Sequence, residues 1–239
     1  FDVATIRNAA DAVRRATIQP PQGVRRLPVP RQDETLLVWL SDLAQAIPSC
    51  RKLLYSPIGP MAGALLTSNL VTLAQDTAFV KRPRSGGAVG WHQDGSYWQH
   101  AQPLDMVTCW IALTQSNADC GAVQMLPGSH TLGLLNATVF DAFSADPHAF
   151  LETHGLTERQ PVTLDLNPGD IAFHHALTIH GSGPNNGPVD RIGYVAHCLS
   201  DRARYQPNQA RPWQKESLPA GSRFMSKKHP VLWEYDGRI

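Results

Sequence analysis

The chain has 239 residues, 42% hydrophobic and 17% charged, enough apolar material for a sizeable core and far from the composition of disordered chains. Lys and Arg number 21 against 20 Asp and Glu, a formal net charge of +1, with no dense basic run, which excludes the electrostatic footprint of nucleic-acid binding. The longest apolar stretches, Met61–Leu66 and Val107–Leu113, are too short to cross a bilayer, so no membrane partner is expected.

Phe1-Asp2-Val3 does not open a signal peptide, and a start at Phe rather than Met implies sequence ahead of it. The four cysteines, Cys50, Cys109, Cys120 and Cys198, form no Cys-x-x-Cys pair, so reduced, buried thiols and a cytoplasmic location are expected. One domain over 1–239 is the expected organisation: a helical flank at 1–68, a β core at 69–199 with an insertion at 131–160, and a tail or lid at 200–239.

In chain order, Val3, Ile6, Ala10 and Val13 recur at helical spacing after Asp2, and Leu36, Leu37, Leu40, Leu43, Ala44 and Ile47 do so after Asp33. Two amphipathic helices are predicted, joined by a helix-hostile connector with Pro20, Pro21, Gly23, Pro28 and Pro30. Ser56-Pro57 reads as the opening of a further short helix running into Met61–Leu66. From Asn69 the character changes: 70–81, 105–113, 121–126, 161–166, 170–180 and 191–199 are short β-prone runs bounded by turn formers. Helices followed by many strands, without strand–helix alternation, argue for a mainly β fold with flanking α-helices, a jelly-roll or cupin-like barrel.

His92-Gln93-Asp94 is the sharpest chemical signal, because side chains two apart on extended backbone share a face. If His180 faces them from a later strand, two imidazoles and one carboxylate surround one point and leave open positions, the arrangement favouring non-haem Fe(II) oxygenases. A lone His-x-Asp triplet also arises by chance, so its weight comes from residues further along the chain. Arg191 begins a strand eleven residues after His180, beyond a turn of Gly181, Ser182, Gly183, Pro184 and Asn185, and a hairpin would return it beside His180. There its planar fork suits the far carboxylate of a 2-oxo diacid chelating the metal; the alternative is a salt bridge to Asp190 or Asp201.

His174 and His175 compete with His180, but neither is followed by an Arg at that interval. His100, His130, His148, His154, His197 and His229 have no carboxylate at strand spacing and read as ordinary histidines. Thr108 and Trp110 share a strand face, and Thr108 is equally read as a β-former. Gln75 and Lys81 also share parity, yet six residues at ~3.3 Å each separate them by roughly 20 Å, so at most one touches a small ligand.

Trp91-His92-Gln93-Asp94-Gly95-Ser96-Tyr97-Trp98, Val107–Leu113, Leu126-Pro127-Gly128-Ser129-His130, Pro168-Gly169-Asp170, His180-Gly181-Ser182-Gly183-Pro184-Asn185 with Arg191, and His229-Pro230-Val231-Leu232-Trp233 together resemble the phytanoyl-CoA dioxygenase family. The resemblance covers about residues 70 to 200 and implies an Fe(II)- and 2-oxoglutarate-dependent oxygenase using O2. It implies His92, Asp94 and His180 as iron ligands and Arg191 as the anchor of the distal 2-oxoglutarate carboxylate. Thr108 would help hold that carboxylate, Gln75 would line the pocket as a further cosubstrate-binding residue, and Lys81 reads as pocket lining or as a solvated strand end. Tyr97, Trp98 and Phe79 are candidate contacts to a small-molecule substrate, and Trp91 is either wall or sheet packing. The family reaction releases succinate and carbon dioxide and hydroxylates an unactivated C–H bond. Asp94 argues against halogenation, which needs a small residue there, while desaturation, epimerisation and cyclisation stay open. A zinc hydrolase or isomerase and a non-catalytic ligand-binding jelly roll also remain alternatives.

Overall fold

Asp2 opens the first helix as expected: its Oδ1 accepts the Thr5 amide at 2.8 Å and its Oδ2 the Thr5 hydroxyl at 2.6 Å, satisfying donors the first turn leaves bare. In this computed structural model, residues 1–29, 33, 35–84, 87–135, 146, 148–211 and 214–235 are described. Pro30, residues 136–145 and 147 of the 131–160 insertion, and the chain end beyond Tyr235 therefore lie outside the described residues. Helix α1 spans Val3–Ile18 and buries Ile6, Ala10 and Val13; Val3, expected on that face, is 74% exposed.

Strand β1 (Arg25–Leu27) pairs with β2 (Leu37–Ser41), which corrects the second predicted helix. β2 is buried on both faces, so its Leu-rich run satisfies helical spacing and a two-sided strand equally well. Asp33 caps no helix; its carboxylate binds the amide and hydroxyl of Thr35 in a local turn. Helix survives only as the short α2 (Leu43–Ala46), followed by α3 (Pro48–Leu53) and α4 (Gly59–Leu66). Ser56, expected as a cap, is extended, and α4 starts at Gly59 with Pro60 in its first turn.

Next along the chain lie β3 (Leu70–Lys81), β4 (Val89–His92), β5 (Ala101–Gln102), β6 (Met106–Ala112) and β7 (Val123–Met125). After the short helix α5 (Ala149–Thr153) come β8 (Val162–Thr163), β9 (Ile171–His175), β10 (His180–Ser182), β11 (Arg191–Ser200), β12 (Arg204–Tyr205) and β13 (Val231–Glu234). A seven-stranded sheet runs β1-β2-β3-β11-β6-β9, with β13 also on β3, and a four-stranded sheet runs β4-β10-β7-β8. These two sheets make the expected jelly roll.

The crossings between sheets correct two expectations. The run 170–180 is two strands, because the chain leaves the large sheet after His175 and enters the small one at His180. β10 and β11 likewise form no hairpin: Arg191 returns in the large sheet, paired with Lys81 of β3.

Period-two alternation divides the large sheet's faces. Ile192, Tyr194, Ala196 and Cys198 of β11, with Val107, Cys109 and Ile111 of β6, join the helices in the main apolar core. Arg191, Val195 and His197, with Thr108 and Trp110, line the cleft on the other side. All four cysteines are buried and free, and no helix among the described residues is long and apolar enough to cross a membrane. Gly193 shares the cleft-side parity, and a Cβ there would come within 2.3 Å of the Trp110 indole. Gly193→Val should therefore cost about 1–3 kcal/mol as overpacking or displace the indole, read by denaturant unfolding and Trp fluorescence.

Candidate metal centre

His92 ends β4, Gln93 remains extended (φ −115°, ψ 131°), and Asp94 opens a tight turn over Asp94–Tyr97. β10 pairs His180 directly with His92, and their rings lie 4.3 Å apart. Asp94 Oδ1 is 3.7 Å from His92 Nε2 and 3.6 Å from His180 Nε2, and the three side chains present ligand atoms all within 4.8 Å of one another.

The far side of each imidazole sets its tautomer. His92 Nδ1 lies 2.8 Å from the Gly90 carbonyl and His180 Nδ1 2.9 Å from that of Thr178. A carbonyl only accepts, so each Nδ1 carries a hydrogen, which leaves Nε2, the atom facing Asp94 Oδ1, as the nitrogen available to a metal, as in metal-binding histidines. Burial acts to raise the Asp94 carboxyl, but His180, His174, His92 and His197 outweigh it and hold it well below the usual carboxylate range. Burial, then neighbouring His92, keeps His180 well below its ordinary value. An anionic carboxylate beside a neutral imidazole is the protonation state a divalent metal requires, so these residues fit such an ion.

Asp94 Oδ2 faces the large sheet, where it accepts Thr108 Oγ1–H at 2.7 Å and His174 Nε2–H at 3.0 Å. His197 Nδ1 is 3.1 Å from Thr108 Oγ1, and since the one hydroxyl hydrogen goes to the acceptor-only carboxylate, the imidazole donates to the threonine. His197, Thr108 and His174 lie side by side across β11, β6 and β9. Two expectations change accordingly. Thr108 is committed to a ligand carboxylate rather than to the cosubstrate end, and His197 is part of the site. Its alternation with Arg191 along β11 was the signal that could have found it.

The opposite end of the cleft is cationic. Arg191 is 2% exposed and Lys81 0%, and among the described residues neither meets a carboxylate. Asp190 pairs instead with Arg14 and Arg82, which removes the salt-bridge alternative for Arg191. Arg191 Nε and Nη2 donate to the Gly121 carbonyl at 3.2 and 2.6 Å, and its guanidinium carbon sits 5.5 Å from the Trp110 ring centroid. Nη1 has no protein partner among the described residues. Lys81, expected at a solvated strand end or in the pocket lining, donates to the Ser182 carbonyl at 3.1 Å, the Ser182 hydroxyl at 2.7 Å and the Gly183 carbonyl. Burial, then the Arg191 charge, pushes Lys81 well below its ordinary value, and burial draws Arg191 to about 10. Ser182, unanticipated, comes one period after His180 on β10, about 7 Å along the same strand face.

The same cleft, about 1320 Å³ with its open mouth, is lined by Gln75, Phe79, Tyr97 and Trp98. Gln75 donates to Ser41 Oγ at 2.6 Å, and Phe79 stacks on Trp39 at 5.4 Å. Trp91 packs instead with Leu126, Phe150 and Ile179 in a separate apolar cluster. The described part of the tail adds Gln214, Glu216 and His229 to the wall, facing His100.

A jelly roll with two imidazoles and an aspartate converging on one point carries a candidate two-histidine, one-carboxylate metal centre. The family model for phytanoyl-CoA dioxygenase (PhyH) matches residues 3–193, and the chain belongs to that family. A phytanoyl-CoA dioxygenase domain-containing protein 1 homolog of Dictyostelium discoideum is 32% identical over 122 residues, 50% of this chain and 43% of that protein. A probable alpha-ketoglutarate-dependent hypophosphite dioxygenase of Stutzerimonas stutzeri is 32% identical over 126 residues, 48% of this chain and 42% of that protein. The chain thus matches less than half the length of either relative. Among solved structures, the alpha ketoglutarate dependent epimerase SnoN from nogalamycin biosynthesis shares the fold with a TM-score of 0.77 at 21% identity, covering 100% of this chain and 91% of that one. SnoN has also been solved in complex with Fe3+, alpha ketoglutarate and nogalamycin RO.

Burial draws the His100 imidazole from 6.5 down to about 4. Unfolded chain takes up that proton near pH 6.5 while folded chain refuses it until about pH 4, so stability is complete above the window and declines as pH falls through it. In metal-free protein, His100→Gln should lessen the fall in unfolding free energy between pH 7 and pH 5, by about one proton in slope, in urea titrations.

Proposed function

We propose that the chain is an Fe(II)- and 2-oxoglutarate-dependent oxygenase that hydroxylates an unactivated C–H bond of a small molecule, releasing succinate and carbon dioxide. The observation that carries this reading is the pairing of the metal-ready set His92, Asp94 and His180 with two buried cations, Arg191 and Lys81, that lack any carboxylate partner among the described residues. Uncompensated buried charge is costly, and a cleft that tolerates it is built to receive an anion. A short keto diacid has the required shape: a chelating end for the metal and a far carboxylate for the guanidinium.

Bound there, iron supplies the redox chemistry that activates O2. The protein's own residues bind, orient and exclude. Arg191 offers Nη1 and a fork backed by the Gly121 carbonyl and the Trp110 face, while Ser182, held by Lys81, offers a hydroxyl beside it. Asp94 fills the ligand position a halide would need. Phe79, Tyr97 and Trp98 form an apolar wall suited to a substrate body and to keeping water from the reacting centre. We assign Gln75 to the substrate-facing wall, residues 1–239 to one oxygenase domain, and the free buried thiols to a reducing compartment such as the cytoplasm.

Anaerobic addition of Fe(II) and 2-oxoglutarate should produce a weak visible charge-transfer band. Its absence with metal bound would favour a zinc hydrolase or a binding module. Arg191→Met should weaken 2-oxoglutarate binding at least about 30-fold by calorimetry while leaving metal affinity nearly unchanged. Succinate release across candidate compounds would then identify the substrate.

A further inference from the structure

Three imidazoles approach Asp94 through Nε2 atoms, and their Nδ1 atoms sort them into two kinds. In His92 and His180, Nδ1–H is held by a backbone carbonyl, which leaves Nε2 for a metal. In His174, Nδ1 is buried with no partner among the described residues, and Nε2 lies 3.0 Å from Asp94 Oδ2, an oxygen that only accepts. The hydrogen of His174 therefore sits on Nε2, and the ring presents a donor to the carboxylate where the other two keep Nε2 for a metal. Thr108 gives Oδ2 a second donor, itself oriented by His197.

We propose that His174 is a positioning residue that, together with Thr108, confines Asp94 to one-oxygen coordination of the metal. The proposal rests on the reading that His92, Asp94 and His180 hold that metal. With both donors in place, Oδ2 is saturated on the large-sheet side and only Oδ1 faces His92 and His180. Without them the carboxylate is free to rotate and bind through both oxygens, consuming a position that a chelating diacid and O2 require. An apolar ring or branched chain at position 174 would fill the space and supply no donor. Outer partners of this kind change metal affinity by 10–100-fold when removed.

The test uses Co(II) as a spectroscopic probe on wild type, His174→Leu, His174→Gln and Thr108→Val. Wild type should bind Co(II) and give a visible ligand-field spectrum. His174→Leu should raise the Co(II) Kd by about 10–100-fold and shift that spectrum as the carboxylate changes its mode of binding. His174→Gln, whose amide can donate from the same place, should restore both. If His174→Leu fails to fold by circular dichroism, Thr108→Val takes its place and should move both readouts the same way. Unchanged affinity and spectrum in the donor-less variants overturn the proposal, and so does equal loss in His174→Leu and His174→Gln, which would assign the effect to ring packing. Failure of wild type to bind Co(II) would instead refute the metal reading itself.

Discussion

An ionised carboxylate buried away from water is costly unless donors or a cation meet its oxygens, and meeting that demand for Asp94 organises the strands around it. Thr108 and His174 serve one oxygen from the large sheet, while His92 and His180 face the other from the small sheet. The two layers thus meet through this side chain as well as through apolar packing. The polar row His197–Thr108–His174 would be expensive in a sheet interior, and it is tolerated because His197 bonds Thr108 while Thr108 and His174 both donate to Asp94.

The cationic end obeys the same electrostatics with the sign reversed. Lys81 and Arg191 are register neighbours on β3 and β11, so their mutual repulsion adds to the cost of burying each. Backbone carbonyls of Gly121, Ser182 and Gly183 offset part of that cost, and the Trp110 face another part. Close approach makes this geometry possible. Gly121 has φ 69°, and a Cβ on it would lie 2.4 Å from the Gly183 carbonyl, the acceptor of the Lys81 ammonium. The remaining imbalance is what an anionic ligand would relieve, which makes the cleft electrostatically incomplete at one end and poised for a cation at the other.

Much of this was legible in the sequence where alternation was clean. The strands β3, β6 and β11 match their predicted runs within a residue or two, and parity alone placed Thr108 with Trp110 on the cleft side. His92 and Asp94 were legible because one extended residue separates them. Leu37–Ser41 misled because a strand buried on both faces has no polar side to reveal its period. Which imidazole faces His92 and Asp94 depended on where the chain changes sheets, a tertiary event invisible in 170–180; only the interval to Arg191 and the resemblance to a family favoured His180. Lys81 was unreadable for a related reason: a lysine ending an apolar strand before Pro83 looks like a solvated terminus unless the opposing layer is known to offer it carbonyls.

The change of sheet between β9 and β10 unites ligand and clamp. His174 and His180 are six residues apart, yet they approach Asp94 from opposite layers because the chain turns through 176–179 between them. That turn is fastened to the ligand segment itself. Gly95 N donates to the Ala176 carbonyl at 2.8 Å, and Gln93, fully buried between the two ligands, donates to the Leu177 carbonyl at 2.8 Å and the Gly133 carbonyl at 2.9 Å while accepting the Leu135 amide at 2.9 Å. The residue whose side chain points away from the metal thus sets the position of the turn delivering the other imidazoles. A shift of the turn would move ligand and clamp together, so the relation between His174, Asp94 and His180 is preserved by short-range connectivity rather than by the distant packing of the two sheets.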